Sequence, residues 1–408
     1  MFSLLQRQLF REALYTFILC ACALLTLILI SRAVQMRELL LGLDMSLMDT
    51  VRLFMYMSPT FLMLVVPISC MLAVFLTFLR MGTDRELVAL RAGGVSIYQM
   101  LPAPILFSLL CFGLTLWISL HWISWGMGQF RSTVMDIATS RARVVIQPGV
   151  FSTDFPKLVL FARNVDPKSG TLYKIMVNDR NHKGRDITIL APEGIITSDS
   201  TRGELVFKLL NGQLYTTAKE QSSLLSFDTY TVRMPLNLLF KHVNLGSIRP
   251  RELSWKDLRK TYAAYSRQLT SASDNSKGSA YRDLLEYTLK VDVERHKRWA
   301  YPAACLALTI FVLPLGFAAQ GMKRQTGLII ALVMFFVYYS LMSMGFTLGE
   351  NGTLPPAIGL WLPNMLFFLG GLCGLRLAAR ERAPDLAGIL RRVTASLPLP
   401  HKNAHPKG

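Results

Sequence analysis

Charged residues are scarce in this chain, and long stretches have none. Asp, Glu, Lys and Arg make up 17% of the 408 residues, whereas apolar residues make up 52%. This balance argues against an ordinary soluble enzyme and indicates a membrane protein. A helix needs roughly 20 residues to cross a bilayer, and six charge-free stretches reach or nearly reach that length: residues 13–31, 53–79, 92–130, 299–322, 325–349 and 351–375. The sequence therefore predicts six transmembrane helices, three before and three after a central polar region.

Motifs of catalysis and metal binding are also lacking. The chain has no HExxH, GxSxG or GxxxxGK[ST] pattern, and its six histidines show no metal-binding spacing. A membrane-embedded hydrolase would need polar groups facing one another inside the spans, and the charge-free stretches argue against it. We therefore expect neither an enzyme nor a metal or cofactor in this chain. His121 is the one histidine within a span, and an interfacial aromatic belt with Trp117, Trp122 and Trp125 is favoured over a role inside the membrane.

The central region, residues 126–298, contains no cysteine. All six cysteines lie in the predicted spans, at Cys20, Cys22, Cys70, Cys111, Cys305 and Cys373. The region therefore has no disulfide, and its own core must hold it together. Its β-branched and apolar runs are separated by turns such as Asn211-Gly212, which indicates a β-sandwich or an open barrel. Charged helices are predicted on its C-terminal side, at residues 250–270 and 280–298.

The distribution of Lys and Arg predicts the orientation, because these residues are enriched in cytoplasmic connections. With the N-terminus inside, the inner connections and the tail hold fourteen of them, whereas the short outer connections hold only Arg32, Arg37 and Arg52. Both termini are then cytoplasmic, and the central region lies outside. From residue 131 to residue 298 that region has 27 Lys and Arg against 17 Asp and Glu, so it supplies +10 of the net charge of +18.

A cluster of cations comes directly before the fourth span, in the sequence VERHKRWAYPAAC at residues 293–305. The predicted topology places Arg295, Lys297 and Arg298 on the outer face, together with Arg32 and Arg37 at the outer end of the first span. One interpretation is that these cations bind a polyanionic lipid headgroup. The alternative is that the long side chains reach the headgroups without a specific ligand, or that Asp292 or Glu294 pairs with a neighbour.

The inner connection between spans two and three carries a second group of candidate residues. The sequence RMGTDRELVALRAGGVSIYQM predicts a short amphipathic helix at the membrane surface, ended by Gly93 and Gly94. Its candidate residues are Asp84, Arg85, Glu86, Leu87 and Arg91. Such a helix is either inert or the contact through which a soluble motor acts on the spans, and physical reasoning alone leaves both open.

Three stretches together resemble the LptF/LptG-type lipopolysaccharide export permeases, and LptF somewhat more than LptG. They are TDRELVALRAGGVS between spans two and three, QPGVF at residues 147–151, and RHKRWAYPAACLALTIFVLPLG leading into span four. The resemblance covers nearly the whole chain and implies a membrane α-helical fold with six transmembrane helices (3+3) and an inserted periplasmic β-jellyroll-like domain. The implied regions are residues 1–130 with spans one to three and a coupling helix near residues 82–94, and residues 131–290 with a β domain and helical flanks. Residues 291–380 then hold spans four to six, and residues 381–408 form a basic cytoplasmic tail.

The same resemblance implies a function and a set of partners. It predicts the permease subunit of an ABC transporter that extracts lipopolysaccharide from the outer leaflet of the inner membrane and passes it to a periplasmic bridge. The implied partners are a sister LptG-like permease, a cytoplasmic LptB-like ATPase dimer that binds the ATP, and a single-span LptC-like protein. Arg298 matches a basic position before span four and Arg32 matches the mouth of the cavity, whereas Gln35 stands where a second cation can occur. The alternatives are an ATPase-driven exporter of another lipid or lipoprotein and a scaffold that transports nothing.

Overall fold

The computed structural model describes residues 4–42, 46–145, 148–152, 158–166, 171–179, 186–199, 202, 204–218, 221–235, 248–271, 279–318 and 324–380. Ten α-helices lie in this described part: α1 Leu4–Gly42, α2 Leu47–Thr83, α3 Glu86–Ala92, α4 Ile97–Met100, α5 Pro102–Trp117, α6 Ile123–Val145, α7 Trp255–Ser271, α8 Ser279–Ala318, α9 Arg324–Glu350 and α10 Pro356–Ala379. A π-helical turn, Ile118–Trp122, joins α5 to α6, and a 3-10 turn, Pro250–Glu252, precedes α7.

In the described part of the chain, six helical segments are long and apolar enough to cross a membrane. Each overlaps one of the six charge-free stretches, so the prediction of three spans on either side of a polar region is confirmed. The fourth segment differs from the predicted arrangement in one respect. The flanking helix expected at 280–298 and the span that follows it form a single helix, α8, with 40 residues. Pro302 and Pro314 lie inside this helix without ending it.

The chain divides into two compact units, and the first consists of residues 1–28, 60–122 and 255–408. Its core consists of apolar side chains of the spans that pack against one another. Phe78 and Phe317 meet edge to face, with ring centroids 5.0 Å apart. Helices α9 and α10 approach closely at two glycines, since a Cβ added to Gly359 would lie 2.6 Å from the carbonyl oxygen of Gly345. Only glycine fits such a crossing.

The second unit consists of residues 29–59 and 123–254. It contains a six-stranded antiparallel sheet with strands in sequence order: β1 Phe151–Ser152, β2 Leu158–Val165, β3 Thr171–Asp179, β4 Asp186–Asp199, β5 Glu204–Ala218 and β6 Gln221–Pro235. One face packs into a core with residues of α2 and α6: Leu53, Val134, Met135, Leu160, Ile175, Ile189, Phe207 and Leu209. The inserted β-rich domain is therefore confirmed. Its described strands form one sheet whose neighbours follow one another along the chain.

A salt bridge within the second unit joins α6 to the segment that follows the sheet. The Arg131 guanidinium lies 2.9 Å from the Glu252 carboxylate, and both side chains are almost completely buried. The Ser124 hydroxyl donates a 2.6 Å hydrogen bond to the carbonyl of Leu253 in the same segment. Removing one partner of such a buried pair would leave an uncompensated charge, which costs about 3–5 kcal/mol. These contacts therefore fix the exit of the chain from the β unit.

Candidate functional site

The cations before the fourth span lie together on α8, as the sequence predicts, and each is paired with an acid one turn earlier. Arg295 lies 2.6 Å from the carboxylate of Asp292. Lys297 and Arg298 share the carboxylate of Glu294, each with an N–O distance of 3.5 Å. These spacings of three and four residues place the partners on neighbouring turns of one helix. We call Asp292, Glu294, Arg295, Lys297 and Arg298 the α8 charge cluster.

Burial differs strongly among the three cations of the cluster. The side chain of Arg298 is 0% exposed, whereas those of Arg295 and Lys297 are 31% and 24% exposed. A buried guanidinium is stable only when it is paired, because removing the charge from water carries a large desolvation penalty. Glu294, itself almost buried, supplies that pairing. In this conformation Arg298 therefore acts inside the fold, and Arg295 and Lys297 are the cations that face the surroundings.

Aromatic rings hold the two partly exposed cations. The Arg295 guanidinium lies 4.1 Å from the ring centroid of Tyr262 in α7. The Lys297 ammonium lies 5.2 Å from the ring of Phe346 in α9 and 5.8 Å from the ring of Tyr301. Cations at such distances are attracted by the negative face of the ring. Helices α7 and α9 therefore restrict where these two charges can point.

Helix α7 is positioned by a ladder of aromatic contacts with α8. Trp255 meets Trp299 at 6.2 Å, and Tyr265 meets Tyr287 at 4.9 Å, measured between ring centroids. Leu258, on the same side of α7, is completely buried. The two helices therefore run antiparallel, and α7 presents Tyr262 to the cluster.

The backbone at Arg298 is held by a second helix. Pro302 has no N–H, so the carbonyl of Arg298, four residues earlier, lacks its helical donor. The hydroxyl of Ser119, in the π-helical turn, donates a 3.0 Å hydrogen bond to that carbonyl, and both residues are fully buried. A local π-turn is frequent at functional positions of helices. A hydrogen bond between the third and fourth spans thus holds the backbone at Arg298, the buried cation of the cluster.

A further buried network joins α8 to the last two helices. The Tyr338 hydroxyl donates to the Asn364 side-chain oxygen at 2.7 Å, and the Asn364 amide donates to the carbonyl of Ala300 at 2.8 Å. All its polar atoms named here have partners, so the network stabilises the interface instead of weakening it. The sequence reasoning missed Ser119, Tyr338 and Asn364. Pro302, four residues after Arg298, was the one available signal, because it indicates a carbonyl in need of another donor.

The remaining predicted headgroup residues belong to the second unit. Arg32 is exposed on α1 and donates a 2.7 Å hydrogen bond to Gln35. Arg37 also lies on α1, and its side-chain environment is outside the described part of the chain.

His121 lies in the π-helical turn and is exposed, beside the exposed rings of Trp117 and Trp122. This placement favours the aromatic-belt interpretation of His121.

The connection between the second and third spans forms the predicted short helix, α3, and its two acids lie in different surroundings. Asp84 lies 3.9 Å from Arg80, which also pairs with Glu12 of α1 at 2.5 Å. Glu86 is exposed and lines a cavity of about 390 Å³ together with Glu12, Leu5, Leu9, Met81 and Leu90. Asp84 therefore has a cation of its own chain nearby, whereas Glu86 lines the cavity at the surface.

Hydrophobic burial fixes how α3 sits on the spans. Leu87 is completely buried and belongs to the core of the first unit. Arg85, at the N-cap, adopts a left-handed conformation with φ 57°, and Gly94 has φ 83° after the helix ends. The helix thus lies between two sharp turns with its apolar side inward. Arg91 stands in its last turn and is partly buried.

One comparison with known proteins identifies a family. A family model described as lipopolysaccharide export system permease LptF/LptG matches residues 7–377. That match covers all six apolar helical segments almost completely, as well as the β unit between them. No individually curated protein matches the chain significantly. In the part of the chain that the structure describes, no group of acidic, histidine or cysteine side chains could hold a metal ion.

Proposed function

This chain belongs to the LptF/LptG family of lipopolysaccharide export permeases, and we propose that it is the permease subunit of an ABC transporter. In this proposal it works with a sister LptG-like permease, extracts lipopolysaccharide from the outer leaflet of the inner membrane, and passes it through an LptC-like partner to a periplasmic bridge. A separate LptB-like ATPase dimer binds and hydrolyses the ATP, and this chain requires no cofactor. The chain is a multi-pass inner-membrane protein, and its family is one of transport subunits.

We further propose that both termini face the cytoplasm and that the β unit faces the periplasm. The support is the charge distribution: fourteen Lys and Arg in the inner connections and tail against three in the short outer ones. This bias orients membrane proteins because cationic segments are retained on the cytoplasmic side. The α8 charge cluster then lies at the outer leaflet, and α3 lies at the cytoplasmic surface.

The observation that carries the headgroup assignment is the position of two partly exposed cations at the start of an apolar segment. No charged residue follows Arg298 in α8 until the helix ends, so Arg295 and Lys297 lie where headgroups meet hydrocarbon. A cation near an anionic surface gains roughly 1 kcal/mol, and a bond to phosphate is strengthened by both charges. We assign the phosphate contacts to Arg295 and Lys297, with Arg32 and Arg37 as further cations, and we assign Arg298 the role of holding Glu294 in place.

The cargo also requires an apolar path. Exposing a lipid to water costs about 0.8 kcal/mol for each CH₂ group, so a lipid with several acyl chains cannot leave the membrane unprotected. The first helix, α1, has only 6% of its most apolar window buried within this chain, and α9 has 22%. These surfaces are free to face lipid, cargo or the sister permease.

Energy must arrive by contact, because the chain has no nucleotide-binding motif. We propose that α3 is the joint with the ATPase and that Glu86 pairs with a cation in a groove of that partner. Arg85, Leu87 and Arg91 shape the joint, and Asp84 contributes less because it already lies near Arg80. The exposure of Glu86 and its place at the edge of a cavity support this assignment.

Lipid crosslinking in intact cells tests the proposal. A photocrosslinking residue replacing Trp299, which is 39% exposed next to the cluster, should capture lipopolysaccharide in the otherwise unaltered chain. The double variant Arg295→Gln, Lys297→Gln should reduce that product by about ten-fold or more, because two gains of roughly 1 kcal/mol are lost. Arg298 is left intact in this variant so that the buried pair with Glu294 persists.

A matched control removes a cation from the same helix outside the cluster. Lys290→Gln eliminates an exposed cation that pairs with Glu286 two turns earlier in α8 than Arg298, and its crosslinking should match the unaltered chain. Equal crosslinking in the double variant and the control would contradict the headgroup assignment. Capture of a phospholipid or a lipoprotein in place of lipopolysaccharide would favour an exporter of that cargo, and capture of no lipid would favour the scaffold.

A further inference from the structure

The α8 charge cluster is largely neutralised from within. Three cations face two carboxylates, and every one of the five groups lies within 4 Å of an opposite charge. An anionic ligand that approaches Arg295 or Lys297 must therefore compete with Asp292 or Glu294. The cluster is not an open patch of positive charge.

Each of the two carboxylates lies close to two basic side chains. Glu294 is anchored by the buried Arg298, whose backbone is in turn held by Ser119. Asp292 has a side chain that is 15% exposed and lies next to both Arg295 and His296, with His296 Nε2 at 3.7 Å. Arg295 is itself held against the ring of Tyr262. Release of a cation must therefore come from exchange of its anionic partner.

We propose that Asp292 and Glu294 set the selectivity of the cluster, so that it binds ligands carrying phosphate monoesters and rejects lipids carrying a single phosphodiester. The inference rests on the proposed function and names the residues that would discriminate cargo from the bulk lipid around it. The exchange chemistry gives the reason. A phosphodiester brings one negative charge, which only replaces the carboxylate that it displaces. A phosphate monoester carries about −1.5 to −2 near pH 7 and offers three acceptor oxygens, so it gains more than the carboxylate loses.

The buried cation of the cluster needs a carboxylate partner even when no ligand is bound. Arg298 is fully buried and requires Glu294 in any state without ligand. Lys297 and Arg298 share that one carboxylate, so a ligand can draw Lys297 outward while Glu294 stays with Arg298. Within this group Lys297 is the partly exposed cation that a ligand can reach, whereas Arg298 is buried.

Lipid binding to the intact complex tests the inference. The full chain is purified with its native partners and placed in nanodiscs that contain a neutral lipid with fixed amounts of lipopolysaccharide and phosphatidylglycerol, and bound lipids are counted by native mass spectrometry. The unaltered complex should bind lipopolysaccharide and exclude phosphatidylglycerol. Asp292→Asn frees Arg295 from its carboxylate, and bound phosphatidylglycerol should rise by about five-fold, the gain expected for one released cation. Bound lipopolysaccharide should change less than two-fold.

A second variant keeps the test decisive if Asp292→Asn fails to assemble. Glu294→Gln combined with Arg298→Met removes both charges of the buried pair together, since a hydrophobic side chain of similar size tolerates burial. Lys297 alone is then freed, and the same rise in phosphatidylglycerol is expected. Glu286→Gln serves as the control, because it frees Lys290 from an acid one turn earlier on the same helix but outside the cluster, and its lipid ratio should equal that of the unaltered chain.

The outcomes separate the inference from the function on which it rests. If the unaltered complex binds lipopolysaccharide selectively and both charge variants keep its lipid ratio, the role of Asp292 and Glu294 is overturned while the proposed function stands. If the unaltered complex binds no lipopolysaccharide, the proposed function itself is overturned.

Discussion

The hydroxyl of Ser119 donates a 3.0 Å hydrogen bond to the backbone carbonyl of Arg298, a carbonyl that Pro302 leaves without a helical donor. One proline therefore leaves a backbone carbonyl of α8 without its helical donor, and a serine on the preceding span donates to that carbonyl. The result is a fixed point between two helices directly below the α8 charge cluster. A serine in a helix often satisfies its own backbone, so a hydroxyl committed to another helix has a structural task.

We expect Ser119→Ala to destabilise the protein by about 1–3 kcal/mol, because a buried carbonyl would lose its donor. Thermal unfolding of the purified protein in detergent would measure the loss. Ser108→Ala is the matched control: Ser108 is equally buried on α5, but its hydroxyl donates to the Ile105 carbonyl of its own helix. A loss no larger than that of the control would show that the Ser119 bond contributes nothing specific.

Restoring the missing donor should make Ser119 dispensable. In Pro302→Ala the new N–H can bond to the carbonyl of Arg298, as in any regular helix. We therefore expect Ser119→Ala to cost less in the Pro302→Ala background than in the unaltered chain, with a difference of about 1 kcal/mol. A double-mutant cycle of unfolding free energies measures this coupling, and additive effects would contradict the assigned bond.

Charge reversal at the inner connection should uncouple the ATPase. Glu86→Arg is expected to lower both lipopolysaccharide transport and the amount of ATPase that co-purifies, since breaking a partly buried pair costs about 3 kcal/mol or more. A compensating Arg→Glu change in the ATPase groove should partly restore both readouts. Asp84→Asn is the control with the milder effect, because Asp84 lies near Arg80 of its own chain. Normal ATPase retention in Glu86→Arg would shift support to the scaffold.

Thiol labelling in intact cells tests the orientation. Positions near Lys183 and Lys323 would suit the test, but both lie outside the described residues, so exposed described positions are preferable. In a chain without the exposed Cys22 and Cys373, we expect Leu224→Cys in β6 to react with a membrane-impermeant reagent and Val88→Cys in α3 to remain unlabelled. Labelling should appear at Val88→Cys only after the membrane is permeabilised. The opposite pattern would reverse the assignment of inside and outside.

A methyl group at the closest helix crossing should separate α9 from α10. A Cβ at Gly359 would overlap the carbonyl of Gly345, so Gly359→Ala should destabilise the protein by about 1–3 kcal/mol, the usual cost of overpacking. Gly113→Ala is the control, because nothing lies within 4 Å of the added Cβ and α5 gains helix propensity. Equal unfolding temperatures for the two variants would mean that the crossing is looser than these distances indicate.

The sequence allowed the spans and the position of the cation cluster to be predicted, because both depend on local patterns. Charge-free length indicates a span, and the spacing of Asp292, Glu294 and Arg298 places acids and bases on neighbouring turns. The burial of Arg298 could not be predicted in this way. It depends on helix packing across long sequence separations, such as the contact of Ser119 in the π-helical turn with the backbone of Arg298.

The inner connection shows the same boundary between local and long-range information. The amphipathic pattern predicted α3 and the burial of Leu87. The i,i+4 spacing of Arg80 and Asp84 predicts a cation near Asp84, and the structure shows the two groups 3.9 Å apart. The surroundings of Glu86 could not be predicted in this way, because the cavity that it lines also includes Glu12 of α1.

Because α8 is one continuous helix, a tilt of the fourth span also moves the part of α8 that precedes the span. Its 40 residues correspond to about 60 Å at 1.5 Å per residue, roughly twice the thickness of the hydrocarbon. If α8 tilts by about 10° about Pro302, where Ser119 holds the backbone, its N-terminal end at Ser279 moves by about 6 Å and Tyr287 moves by about 4 Å. A small tilt of the apolar part of α8 would thus displace Tyr287 and the α7 ring packed against it by several ångströms.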